Sequence, residues 1–194
     1  MESLTLNIAA LHSQFCEDSR IIRNLSPCTI VEHRSSFKAF CAVTNAKQLS
    51  DFNLENLRFY FFHGRTERNW ATTTYRYHWN GLSAFGQWCV KQGLLSENPL
   101  KKIDKPRVIK RIPKKLTRDE AFKLIEVSRN YPYKYQFLRV RNYTIMALLI
   151  FTGLRRTELL NLRLQDVNIL ERSLFIKSGK GDKDRLIPIP HSLN

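Results

Sequence analysis

The strongest constraint on this chain is the segment Thr152-Gly153-Leu154-Arg155-Arg156-Thr157-Glu158-Leu159-Leu160 and the apolar run that precedes it. Residues 143–151 read Tyr-Thr-Ile-Met-Ala-Leu-Leu-Ile-Phe, which is apolar on nearly every helical face. A helix of that kind is expected to be buried. At about 1.5 Å of rise per residue it is too short to cross a bilayer. Gly153 is placed to stop it, and Glu158, Leu159, Leu160 and Leu162 begin a second amphipathic helix. An arginine pair is therefore expected at a buried corner between two helices, with the stem of Arg155 in the core and its planar fork fixed in direction. Such a fork suits bidentate capture of a phosphate. The same letters also suit a surface arginine beside a helix cap.

Charge narrows the class of partner. Among 194 residues, 32 are basic and 17 acidic, a net +15. That excess points to a polyanion: nucleic acid, or an acidic membrane surface. No apolar run reaches membrane length and the N-terminus lacks a basic leader, so a cytoplasmic protein without membrane association is expected. The cysteines at 16, 28, 41 and 89 form no CxxC pair and have no histidine cluster nearby, so reduced thiols are expected, with neither metal site nor disulfide framework.

Periodicity divides the chain. Residues 4–18 predict a first helix through Leu4, Ile8, Leu11 and Phe15. Ser26-Pro27 opens a second that runs to about Val43, with Ile30, Phe37, Phe40 and Cys41 inward. Asn53 caps a third carrying Leu54, Leu57, Phe61 and Phe62. A fourth, from about Trp70 to Gln92, has the apolar stripe Tyr75, Trp79, Leu82, Phe85 and Cys89. Its opposite stripe is Thr73, Arg76, Asn80, Ser83, Gln87 and Lys91, residue types that touch phosphates and base edges and that also make an ordinary solvated face. Residues 1–100 are thus expected to form an all-helical domain.

Residues 101–116 are expected to be a basic linker. From 101 to 118 the chain carries nine basic residues against the single Asp104, a net +8. Pro106 and Pro113 forbid a continuous helix, and sixteen extended residues span about 50 Å. Lys105, Arg107, Lys110, Arg111, Lys114 and Lys115 are the candidate phosphate contacts. Thr117 and Glu120 form a capping box that opens a second domain over 117–194. The aromatic stretch 131–135 reads as a loop. Leu159, Leu162 and Leu164 are expected to face inward. Residues 173–177 and 185–189 alternate as two short strands, with residues 178–184 as a hairpin tip carrying Lys180 between Gly179 and Gly181. The fold class expected is mainly α with a small β-hairpin or sheet.

A helical domain, a basic linker, Thr152-Gly153-Leu154-Arg155 with Glu158-Leu159, then Gly179-Lys180-Gly181 on a hairpin, in that order, resembles the tyrosine site-specific recombinases, the phage integrase family. The resemblance covers essentially the whole chain. It implies a core-binding domain at 1–100 and the first half of a mixed catalytic domain at 117–194. It implies double-stranded DNA as partner, self-association on DNA into a tetrameric synapse, and no cofactor. The implied chemistry is a transesterification in which a tyrosine attacks the scissile phosphate, forms a 3′-phosphotyrosyl link and releases a 5′-hydroxyl. Arg155 then corresponds to the first catalytic arginine, Lys180 to the general acid, Glu158 to a residue that orients Arg155 or a neighbour, and Arg156 to a structural or DNA-backbone contact. The family's later boxes and its nucleophile are not matched. All seven tyrosines precede Arg155, and His191 has no arginine three residues on. A truncated recombinase is expected, with a non-catalytic DNA-binding protein of the same fold as the alternative. An RNA-binding sheet ranks behind both, because the aromatics follow helical stripes.

Overall fold

A computed structural model describes residues 6–109, 112–177 and 184–190. It divides into two compact units, Met1–Arg111 and Ile112–Asn194.

The first unit is helical: α1 (Ile8–Ile21), α2 (Pro27–Thr44), α3 (Leu54–Thr66) and α4 (Thr72–Lys91). Local chemistry sets the helix starts. Asn7 caps α1 by accepting from the Ala9 and Ala10 N–H groups, Ser26 accepts from Thr29, and Asn53 accepts from Asn56. The first helix therefore begins later than its apolar spacing suggests. Residues before it form an extended bridge, in which the Ile8 N–H donates to Lys47 and the Leu49 N–H to Leu6. Asn45, at φ 54°, ends α2 in the left-handed region that asparagine tolerates.

The core of this unit is aromatic. Phe15, Phe40, Tyr60, Phe85 and Leu82 are wholly buried, with Phe37, Phe52, Phe61 and Trp88 nearly so. Phe85 stands at the centre, edge-on to Phe15, Phe37 and Phe52 at centroid distances of 5.7, 5.6 and 5.2 Å. Two polar tips inside this core are paired: the Tyr60 hydroxyl meets His78 Nδ1 at 3.0 Å, and the Trp88 indole N–H donates to Asp18 at 2.8 Å, while His12 Nε2 is buried without a hydrogen-bond partner. The close approach of the Asn98 segment to α4 relies on Gly86, where a Cβ would run into the Asn98 side chain. Phe62, expected inward, is 69% exposed, and Tyr60 takes the inward place on α3.

The start of the expected linker is docked rather than extended. Asn98 donates to the Ser83 carbonyl and caps the 3-10 turn Pro99–Lys102. Leu100 is buried and Ile103 packs against the core. The Trp79 indole N–H donates to the Ile103 carbonyl at 3.1 Å, and Arg76 Nη1 donates to the Pro106 carbonyl at 3.2 Å. Residues up to Pro106 are thus fastened to α4, which shortens the free span.

The second unit contains α5 (Arg118–Asn130), α6 (Gln136–Thr152), α7 (Arg156–Asn161), β1 (Val167–Asn168), β2 (Ser173–Ile176) and β3 (Arg185–Pro188). The Thr117–Glu120 capping box opens α5. The sheet is antiparallel in the order β1-β2-β3, with Ile176 opposite Arg185 and Ser173 opposite Pro188. Pro188 lies in an edge strand, where its missing N–H costs least. The two-residue β1 is too short to show a period in sequence.

Two expectations of burial fail here. On α6 only Ala147 is buried, while Phe137, Val140 and Met146 are exposed. Leu164 is 94% exposed instead of inward. The core consists of Leu154, Leu174 and Ile176, with Leu148, Leu149, Leu159, Leu162, Val167, Ile187 and Ile189 half-buried around it. Periodicity marks which faces are apolar, and burial also requires a neighbouring element to cover them.

Candidate functional site: a carboxylate-held arginine

α6 ends where Gly153 takes φ +64°, with its N–H donating to the Leu149 carbonyl. Leu154 then buries its side chain, and Arg155 becomes the N-cap of α7. That geometry turns Arg155 outward. Its side chain is 54% exposed, whereas that of Glu158 is only 6% exposed. The expected burial of the Arg155 stem is therefore wrong: the carboxylate, not the arginine, is the buried partner. The physical reason is the glycine turn, which spends the inward position on Leu154.

Glu158 receives four N–H donors. The Arg155 backbone N–H donates to Oε2 at 2.8 Å and Arg155 Nη1 to Oε1 at 2.7 Å. Arg185 adds a fork, Nη1 to Oε1 at 2.8 Å and Nη2 to Oε2 at 2.7 Å. The Arg185 fork first, then the Arg155 N–H, hold the Glu158 carboxyl well down, to about 2. One turn on, the pattern recurs. Asp166, also buried, accepts from the Arg163 N–H at 3.1 Å and pairs with Lys177 at 3.1 Å. Its carboxyl lies below the usual range, chiefly through Lys177. Lys177 directly follows β2 and Arg185 begins β3, so each strand is tied at its root to one buried carboxylate.

Of the expected site residues, the structure brings Arg155 and Glu158 together. Arg156 is exposed beside them at the start of α7. Lys180, Lys110 and Arg111 lie outside the described residues. Sequence reading missed Arg185, which alternates like an ordinary strand residue and meets Glu158 across 27 positions. On α4, Thr73, Asn80, Gln87 and Lys91 share an exposed face, but Arg76 and Ser83 turn toward the docked segment and are half-buried. Lys105 sits 4.7 Å over the Trp79 ring, while Arg107, Lys114 and Lys115 are exposed. Among the described residues no His, Cys, Asp and Glu cluster is arranged to hold a metal ion. Among them also, no helix is long and apolar enough to cross a membrane.

The architecture is thus a helical unit followed by an α+β unit whose root-anchored hairpin stands beside an outward guanidinium. Residues 114–194 match the model of the phage integrase family. A tyrosine recombinase XerC of Psychromonas ingrahamii is 32% identical over 174 residues, 86% of this chain and 54% of the relative. A tyrosine recombinase XerA of Pyrococcus horikoshii is 40% identical over 102 residues, 53% of this chain and 32% of the relative. Among solved structures, a lambda integrase tetramer bound to a Holliday junction superposes with a TM-score of 0.73, covering 96% of this chain and 50% of that one at 17% identity. At that identity the likeness speaks for the fold. Residues 114–194 of the chain belong to the phage integrase family of tyrosine recombinases. The chain spans about half the length of the curated relatives it matches.

Proposed function

We propose that this chain is the DNA-binding and phosphate-activating part of a site-specific recombinase that cuts and rejoins duplex DNA in the cytoplasm. The observation that carries the reading is the outward Arg155 guanidinium on a buried, ionised Glu158. An arginine so fixed meets a phosphate without first paying the entropy of ordering its long side chain. Arg155 stabilises charge on the non-bridging oxygens as a nucleophile attacks the phosphorus and the 5′-oxygen leaves. Glu158 aims Arg155, and Lys180 supplies the proton that the leaving oxygen needs. No metal takes part in that charge balance. Asn80, Gln87 and Lys91 on α4 face the groove, and Lys105, Arg107, Lys110, Arg111, Lys114, Lys115 and Arg156 lie along the phosphates. Arg76 supports this face from behind by holding the Pro106 carbonyl. The relatives' recombinase names and the DNA-bound integrase tetramer support duplex DNA as partner and assembly of several copies on it.

The test is the salt dependence of duplex binding. If six or more phosphates are contacted, affinity falls by roughly 10³-fold or more between 50 and 200 mM salt. A flat dependence would remove the basic segment from the interface.

A further inference from the structure

We propose that Arg185 is a positioning residue for Arg155: its fork occupies both oxygens of Glu158, so that the carboxylate aims Arg155 without neutralising it. The inference rests on the reading of Arg155 as a phosphate-binding group.

Glu158 sits with its side chain 6% exposed between two arginines, one on each side, Arg155 half in solvent and Arg185 36% exposed. A carboxylate left with Arg155 alone is free to turn both oxygens onto that guanidinium and form a fork with it. The pair would then be neutral, and its donors would be spent inward. With Arg185 present, the three groups carry a net single positive charge. Arg185 donates one bond to each oxygen, and the Arg155 side chain donates only one, from Nη1, leaving its other donors for a ligand. Because Arg185 opens β3 opposite Ile176, the same fork also ties the hairpin root to the turn that carries Arg155. Lys177 and Asp166 tie the other strand. One carboxylate thereby sets the position of Arg155 relative to the strand that leads back from the hairpin tip.

Arginine-selective labelling of the free 194-residue chain with phenylglyoxal, read by peptide mass, tests this directly. Arg156, exposed and next in sequence, is the internal reference. In Arg185→Met the labelling of Arg155 relative to Arg156 falls roughly threefold, because Glu158 closes onto it, and in Arg185→Lys it recovers in part. In Glu158→Gln it rises above the wild-type value. A purely structural Arg185 would lower the melting temperature and leave the Arg155 to Arg156 ratio unchanged. An unchanged ratio in the folded variants overturns the proposal, and Arg185→Lys and Glu158→Gln decide it if Arg185→Met does not fold.

Duplex binding separates this from the reading beneath it. Arg185→Met weakens binding roughly tenfold in the wild-type background and hardly at all when Arg155 is already alanine. Additive losses would mean that Arg185 touches DNA itself, which overturns the proposal. If Arg155→Ala leaves affinity unchanged while the labelling ratios shift as stated, the phosphate reading fails and the positioning role stands.

Discussion

The two units of this chain are held together by different physics. The first is organised around a dense aromatic core, with Phe15, Phe40, Tyr60 and Phe85 wholly buried and their rings edge to face. The second has three buried aliphatic side chains at its centre and exposes Phe137, Val140, Leu160, Leu164 and Leu186. In place of a large core it uses two buried carboxylates, each joining a turn to one strand root. The contrast teaches where rigidity comes from. Hydrophobic burial makes the first unit stable as a whole. In the second, ionic contacts fix a few chosen side chains while much apolar surface stays open.

The largest expected effect breaks the contrast at its strong end. Phe85→Ala should destabilise the first unit by about 3–5 kcal/mol, because it removes the ring that Phe15, Phe37 and Phe52 share. All three tryptophans, at 70, 79 and 88, lie in that unit. Denaturation followed by tryptophan fluorescence should therefore shift strongly, while methyl signals from Leu174 and Ile176 should not. A coupled shift of both would show that the units unfold as one.

Acid should then separate the units by pH window. Burial holds His12 down to about 3 and His78 to about 4, with neighbouring cations adding to the effect. Unfolded histidines bind protons below about 6.5, whereas these two stay neutral when folded. The first unit is accordingly at full stability above that value and weakens as pH falls through the window toward 4 and 3, by at most ~1.4 kcal/mol per pH unit for each histidine. The second unit depends on Glu158, whose carboxyl is held down to about 2, so that its contribution persists until pH falls below the ordinary glutamate range. Melting curves at pH 7 and 5.5 should show loss in the tryptophan transition alone. Equal loss in both transitions would refute the assignment.

A smaller effect concerns the turn at the site. At Gly153 nothing lies within 4 Å of a would-be Cβ, so Gly153→Ala costs only the left-handed backbone, about 1–2 kcal/mol in the second unit. A cost near zero in that unit's melting transition would mean that the turn relaxes, and that Arg155 is not held where the structure has it.

Much of the fold can be read from local chemistry. Ser26, Asn53 and the Thr117–Glu120 box name their helix starts, and Gly153 names the turn before Arg155. The hairpin strands follow from alternation and from Pro188. What escaped depends on distant partners. Arg185 meets Glu158 only because the hairpin folds back, and no local pattern distinguishes it from any basic strand residue. The docking of Ile103 on Trp79 and of Pro106 on Arg76 is likewise a contact across 24 and 30 positions. The exposed face of α6 has the composition of a core helix, and composition does not say whether a neighbour covers it.

The central claim is that Arg155 is a fixed phosphate ligand and not one basic residue among many. Duplex affinity of Arg155→Ala and Arg156→Ala, measured side by side at one salt concentration, tests it most directly. The two variants lose the same charge, one position apart. Arg155→Ala should weaken binding by roughly tenfold or more, the worth of a charge-assisted bond held in place, and Arg156→Ala by only a few-fold. Equal losses would contradict it.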